Sequence, residues 1–261
     1  MNFDFLIYKQ REYTNQQGNV RYLDGKRLLR PLDVPMVGRV IIGVLVVVAV
    51  VIGAQIYQNT AGAMSSAAQK NTATVEENIA RQVSYDLPVL TGLAGLDDAT
   101  ILTLFTNAGY TMYNQTAEGA TGLDVIKLPS DVDMATAASM YAKGVSSLSA
   151  SDAAKLLKGS WTFSSDRSSG ETLSVKYVDF SAASLEAAIG AAIVTEGFDA
   201  ATTPEDGKGT DSVGNTYQTG TVDVNGVMYN WRISATALSN VYSITGLPES
   251  AIYVGIRITA Q

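Results

Sequence analysis

Residues 40–56, VIIGVLVVVAVVIGAQI, run for seventeen positions without a charge, and no other feature constrains this chain as strongly. With Met36, Val37 and Tyr57 at its margins the run approaches the roughly 20 residues a helix needs to cross a bilayer. Polar residues do not recur along it at helical spacing, so a helix here has no wet face and requires apolar surroundings on every side. The sequence therefore predicts a transmembrane helix over 40–57, with Arg39 snorkelling to one interface and Tyr57 resting at the other. Within it, Ala49 and Gly53 make a small-x-x-x-small step that allows a second helix to approach, including one from another copy of the chain.

Charge sets the orientation. Lys9, Arg11, Arg21, Lys26, Arg27, Arg30 and Arg39 outweigh four acids in residues 1–39, for a net charge of +3, whereas the residues beyond 57 carry −10. Basic flanks stay inside, so 1–39 is expected to be a short cytoplasmic segment. The remainder is expected outside a plasma membrane, where its negative charge also argues against a nucleic-acid partner. Ala61-Gly62-Ala63 offers the spacing a signal peptidase needs, but a basic region of 39 residues exceeds a usual leader and favours a retained anchor.

The chain contains no histidine and no cysteine. This excludes disulfide scaffolds, thiolate or imidazole metal sites, thiol nucleophiles and the serine–histidine–acid triad. A large extracytoplasmic region without disulfides fits a prokaryotic envelope better than a eukaryotic secretory route.

After the span, Met64, Ala68, Thr72, Val75, Ile79 and Val83 fall at helical spacing, and Glu77 and Arg81 stand four apart. These predict a stalk over 58–86, ended by Asp86-Leu87-Pro88. The stalk is expected either to pack on the domain C-terminal to it or to pair with another helix. Residues 87–261 read as an α+β domain of helices on a mostly antiparallel sheet, divisible into stretches 87–159 and 160–261. Helices are predicted over 98–108, 130–142, 151–157 and 184–196, from polar residues at their starts and Gly109, Gly144, Gly159 and Gly197 after their ends. Strands are predicted over 110–115, 123–128, 160–166, 172–180, 215–224, 227–237 and 251–259. Asn225-Gly226 marks a type I′ hairpin whose second strand turns Val227, Tyr229, Trp231 and Ile233 to the core. Residues from Asp98 to Tyr110 resemble those from Glu186 to Phe198 at a constant offset of 88, which suggests repeated helix-strand-strand units.

Chemical motifs are sparse. Gly207-Lys208 lacks the upstream glycine of a phosphate-binding loop. Asp97-Asp98 and Asp131 with Asp133 stand where helix N-termini favour acids. Glu205, Asp206, Asp211 and Asn215 in one polar loop are the candidate oxygen ligands for calcium, although their spacing is not that of an EF-hand. Lys176 interrupts an apolar strand and is the one candidate for a lysine-assisted hydrolase, but alternation turns it away from Asp179. No other catalytic residue or cofactor is indicated.

Residues 87–110, LPVLTGLAGLDDATILTLFTNAGY, resemble the opening half of a PASTA domain through Pro88, Gly92, Asp98, Ala99, Gly109 and Tyr110, with an insertion at Ala94-Gly95. That resemblance implies wall sensing and binding, not catalysis. The outline of apolar segment, amphipathic helix and α+β head also resembles type IV pilin-like proteins. There Gly38 would precede the cut, although Arg39 follows it and Gly43 stands where such proteins carry glutamate. The expected function is a single-pass, membrane-anchored extracytoplasmic binding or scaffold protein that contacts the bilayer and other envelope proteins. A filament subunit and a hydrolase without histidine are the alternatives.

Overall fold

A computed structural model describes residues 67–261 and, earlier in the chain, one antiparallel pair, Tyr13–Thr14 with Val20–Arg21. The predicted membrane helix 40–57, the Ala49–Gly53 step, the processing positions at 38–39 and 61–63, and most of segment 1–39 lie outside the described residues. Among the described residues no helix is long and apolar enough to cross a membrane.

Residues 67–261 are α+β, and their eight strands form one antiparallel sheet. Helix α1 spans 67–80 and α2 spans Asp98–Asn107. Strands β1 (Met112–Asn114) and β2 (Asp124–Lys127) come next, then α3 (Met134–Lys143) and α4 (Ala150–Leu157), then β3 (Trp161–Asp166) and β4 (Thr172–Asp179). Helix α5 (Leu185–Glu196) opens the second half, succeeded by β5 (Lys208–Thr210), β6 (Thr216–Val224), β7 (Val227–Ala237) and β8 (Ile252–Ala260). In space the order is β1-β2-β3-β4-β8-β7-β6-β5. Each half thus opens on a helix and lays down four antiparallel strands in sequence, and the halves meet along their last strands in mirrored order. Strands β2 and β3 pair directly across position 159, so one sheet runs through both predicted stretches of the domain.

Alternation places Trp161, Phe163, Leu173, Val175, Trp231, Ile233, Ile256 and Ile258 on one face, where Ile101 and Phe105 of α2 and Ile189 and Ile193 of α5 cover them. The 88-residue similarity reappears here as geometry. Ile101 and Ile189 are both buried, as are Phe105 and Ile193. Gly109 and Gly197 both take positive φ (80° and 70°), the conformation that ends a helix without a Cβ clash. The next residues dock on the chain's two tryptophans: the ring centroids are 5.6 Å apart for Tyr110 on Trp161 and 5.1 Å for Phe198 on Trp231. Trp231 also needs Gly220 directly opposite, because a Cβ there would lie 2.4 Å from its ring and 2.5 Å from Thr202 Oγ1. Gly220→Ala is expected to cost about 1–3 kcal/mol by overpacking, read as a lowered thermal midpoint with an altered near-ultraviolet tryptophan signal. An unchanged midpoint would contradict the packing.

On the other face, α3, α4 and the 238–251 connection bury Ile126, Leu128, Leu156, Val178 and Leu238, but they cover only one end of the sheet. Helix α3 starts later than predicted. Its N-cap is Asp133, whose carboxylate accepts the Thr136 N–H at 2.9 Å, because Pro129 and Val132 shape a turn ahead of it.

Helix α1 ends at residue 80, before the predicted Asp86-Leu87-Pro88 stop, because the connector after it is claimed by the domain. Val75 is buried, and Asn78 donates to Ser151. Arg81 does not pair with Glu77. Its guanidinium donates to Asp131 at 2.7 Å and to the carbonyls of Lys155 and Lys158 at the end of α4. Tyr85 donates to the Val178 carbonyl, and the Tyr85 carbonyl accepts from Trp161 Nε1 at 2.6 Å. Residues 75–85 therefore pack on the sheet domain.

Candidate functional site

Where helices stop covering the second face, the sheet presents polar residues in cross-strand rows. One row runs Asp124, Ser164, Ser174, Arg257, Arg232, Thr219. The row beside it toward the helices runs Thr162, Lys176, Gly255, Ser234, Tyr217, and the row on the other side runs Asp166, Thr172, Thr259, Asn230, Thr221. The register stacks residues of one face directly opposite one another, so the order follows from strand pairing alone. Two of these rows begin on an acid, Asp124 and Asp166. Cations and hydroxyl or amide side chains hold the middle, and none of the exposed large hydrophobics falls in the three rows.

Arg232 and Arg257 are directly opposite across β7 and β8, a like-charge pairing that costs stability in a sheet. Arg232 is fixed by Asp211 at 3.0 Å and by stacking on Tyr217, 4.0 Å from its ring centre. Arg257 is exposed and makes no ion pair among the described residues. Together with Pro204, Thr219, Thr221, Asn230 and Thr259 they line an open depression of about 450 Å³.

Toward the covered end lies a narrower cavity of about 230 Å³, lined by Tyr141, Tyr242, Tyr253, Ser160, Thr162 and Lys176 among others. Burial raises the phenol of Tyr253 to about 12 and pushes those of Tyr141 and Tyr242 upward. Lys176, the candidate lysine, is exposed at this cavity's rim, and no carboxylate lines the cavity.

The predicted calcium ligands are not brought together. Glu205 and Asp206 are exposed, while Asp211 accepts the Asn215 N–H at 2.9 Å, the Asn215 side chain at 3.1 Å, and Arg232. Among the described residues no three acidic side chains cluster closely enough to hold a metal ion. Asp97 caps α2 as expected, accepting the Thr100 N–H at 2.7 Å. Asp98, the acid in the first turn of α2, also accepts from Ser165 at 2.7 Å and Arg167 at 3.3 Å, in a network continued by Glu171, Tyr229 and the Gly95 N–H. That network is internally satisfied and ties α2 to the sheet.

Two buried ionisable groups have no signal in the sequence. Glu196, the last residue of α5, is 3% exposed. One of its oxygens accepts the Leu90 N–H at 2.8 Å and the other has no partner, so burial pushes its carboxyl up to about 7. Lys127 donates to the Ser84 and Gly159 carbonyls at 2.7 and 3.0 Å, and burial lowers its pKa. Chain position gives no sign of either, since each is the polar end of an otherwise regular element.

Residues 87–110, which carry the PASTA resemblance, form a short 3-10 turn and α2. Comparison with known protein families, curated proteins and solved structures finds no match to the chain.

Proposed function

We propose that the chain is a single-pass, membrane-anchored binding or scaffold protein of a prokaryotic envelope, with the open half of its sheet as the contact surface. The observation that carries this reading is the asymmetry of the sheet: one face is sealed by α2 and α5, while half of the other presents ordered polar and cationic side chains. The apolar run and the charge difference across it support the anchored, outward-facing arrangement. A non-catalytic role is favoured by the exposure of Lys176 and the lack of a carboxylate in its cavity. The N-terminal mass of the mature protein separates this reading from the filament alternative: Met1 supports the anchor, Arg39 the filament subunit.

Because the chain has no cysteine, single-cysteine variants test the proposal cleanly. Ser174→Cys lies on the open face and Thr103→Cys on the outer side of α2. A membrane-impermeant maleimide is expected to reach both in intact cells, with Ser174→Cys protected there relative to purified protein and Thr103→Cys unprotected. Labelling of both only after the membrane is opened would refute the orientation. Equal rates at Ser174→Cys in cells and in purified protein would refute the contact surface.

A further inference from the structure

We infer that the depression around Arg232 and Arg257 binds a carboxylate-bearing glycan. The acid group would sit between the two guanidinium groups and the sugar hydroxyls would lie on the flanking polar side chains. This rests on the open face being a contact surface and deepens that reading.

The first observation is one of charge. The residues beyond position 57 carry −10, yet two arginines stand opposite each other at the centre of the sheet. Like charges in directly facing positions repel, and among the described residues only one carboxylate meets them, from Asp211 to Arg232. Ser174, on the other side of Arg257, is engaged with Ser164 at 2.7 Å. An oxyanion placed between the guanidinium groups supplies the missing negative charge, and arginine's planar fork matches a carboxylate in two-point contact. The Tyr217 stack holds Arg232 in place before any ligand arrives.

Surrounding groups select the body that carries the acid. Asn230 accepts from Gln261 through its carbonyl oxygen at 2.9 Å, which leaves its amide donors for a ligand. Thr221 and Thr259 add hydroxyls in the adjacent row and Thr219 one in the arginine row; the Thr219 hydroxyl donates to the Gly207 carbonyl at 3.3 Å and keeps its acceptor side, and the Thr259 hydroxyl accepts from Thr172 at 3.3 Å and keeps its proton to donate. A protein hot spot wants a buried aromatic or aliphatic anchor, and none of the exposed large hydrophobics lies in these rows. A second copy docked face to face would bring arginines against arginines. A polyol chain with carboxylates satisfies both the hydroxyl rows and the cations. At physiological salt, screening beyond about 8 Å keeps the distant acids of the domain from repelling it.

The test uses the full-length protein in detergent with trigalacturonate, its methyl ester and inorganic phosphate as probes. Trigalacturonate is expected to bind, the neutral ester at least tenfold more weakly, and Arg257→Gln to lose tenfold or more. Arg257→Lys, which keeps the charge without the fork, should fall between. Equal binding of acid and ester, or an unchanged Kd in Arg257→Gln, would overturn the proposal, as would no binding of trigalacturonate. Inorganic phosphate displacing trigalacturonate at equal concentration would overturn the glycan part. If Ser174→Cys stays protected in cells while any of these occurs, the contact surface stands and only the ligand assignment fails.

Discussion

The native protein is expected to lose about 3 kcal/mol of stability between pH 4.5 and pH 8, and replacing Glu196 by glutamine is expected to remove that loss. The buried carboxyl has one partner, the Leu90 N–H, and one unpartnered oxygen, and burial holds its pKa near 7 against an ordinary 4.5. The folded state therefore binds a proton more tightly than the unfolded chain. Stability from this group is fully present below pH 4.5 and drains away as pH rises through 7. Tyr177 is the titratable neighbour that feels Glu196, and it stays neutral across this range because burial has raised it to about 12. Glutamine can still accept from Leu90 and carries no charge to desolvate. Thermal midpoints of the full-length chain across the window should drop by roughly 6–12 °C in the native protein and stay level in Glu196→Gln. Parallel slopes in the two proteins would show that Glu196 is not the titrating group.

Lys127→Met is expected to cost about 2–4 kcal/mol and to loosen the connector after α1. Its ammonium is the donor to both the Ser84 and Gly159 carbonyls and lies 5.9 Å from the Tyr110 ring centre. Methionine fills the space of the stem but leaves both carbonyls without that donor, and partial relief of the lysine's desolvation offsets only part of the loss. Hydrogen exchange should accelerate at 82–87 ahead of the sheet. Native protection there, with unchanged stability, would mean that Arg81 and Tyr85 hold the connector without Lys127.

The regular elements are legible in the sequence because their signals are local. Asp97 and Ser184 cap the helices they precede, Gly109 and Gly197 end them, and Asn225-Gly226 turns the hairpin, each through chemistry contained within a few residues. Strand β5 is not legible, since all three of its residues are exposed and alternation has nothing to report at a sheet edge. The partner of Arg81 differs from the expected one because the sequence offers Glu77 four residues away and cannot show the carbonyls at the end of α4. Arg232 and Arg257 become neighbours only once the register of β7 and β8 is known. Glu196 and Lys127 look in sequence like ordinary surface charges, and only packing reveals their burial.

The attachment of the connector decides how a mechanical load would pass through the molecule. Asn78, Arg81, Ser84 and Tyr85 grip α4, β2, β3 and β4, all in the first half, so tension drawn along α1 enters there. The second half hangs from the first along the β4–β8 seam, an eight-residue antiparallel register from Ile252↔Asp179 to Thr259↔Thr172. Leu90, at the end of the connector, also reaches the second half, packing in the core shared with β8 and donating its N–H to Glu196, a bond that weakens when the carboxylate takes up a proton. Arg257 lies on the seam itself. A ligand held between Arg257 and Arg232 would therefore pull on the second half against a load on α1 in the first, and the ladder between β4 and β8 would be the element under stress.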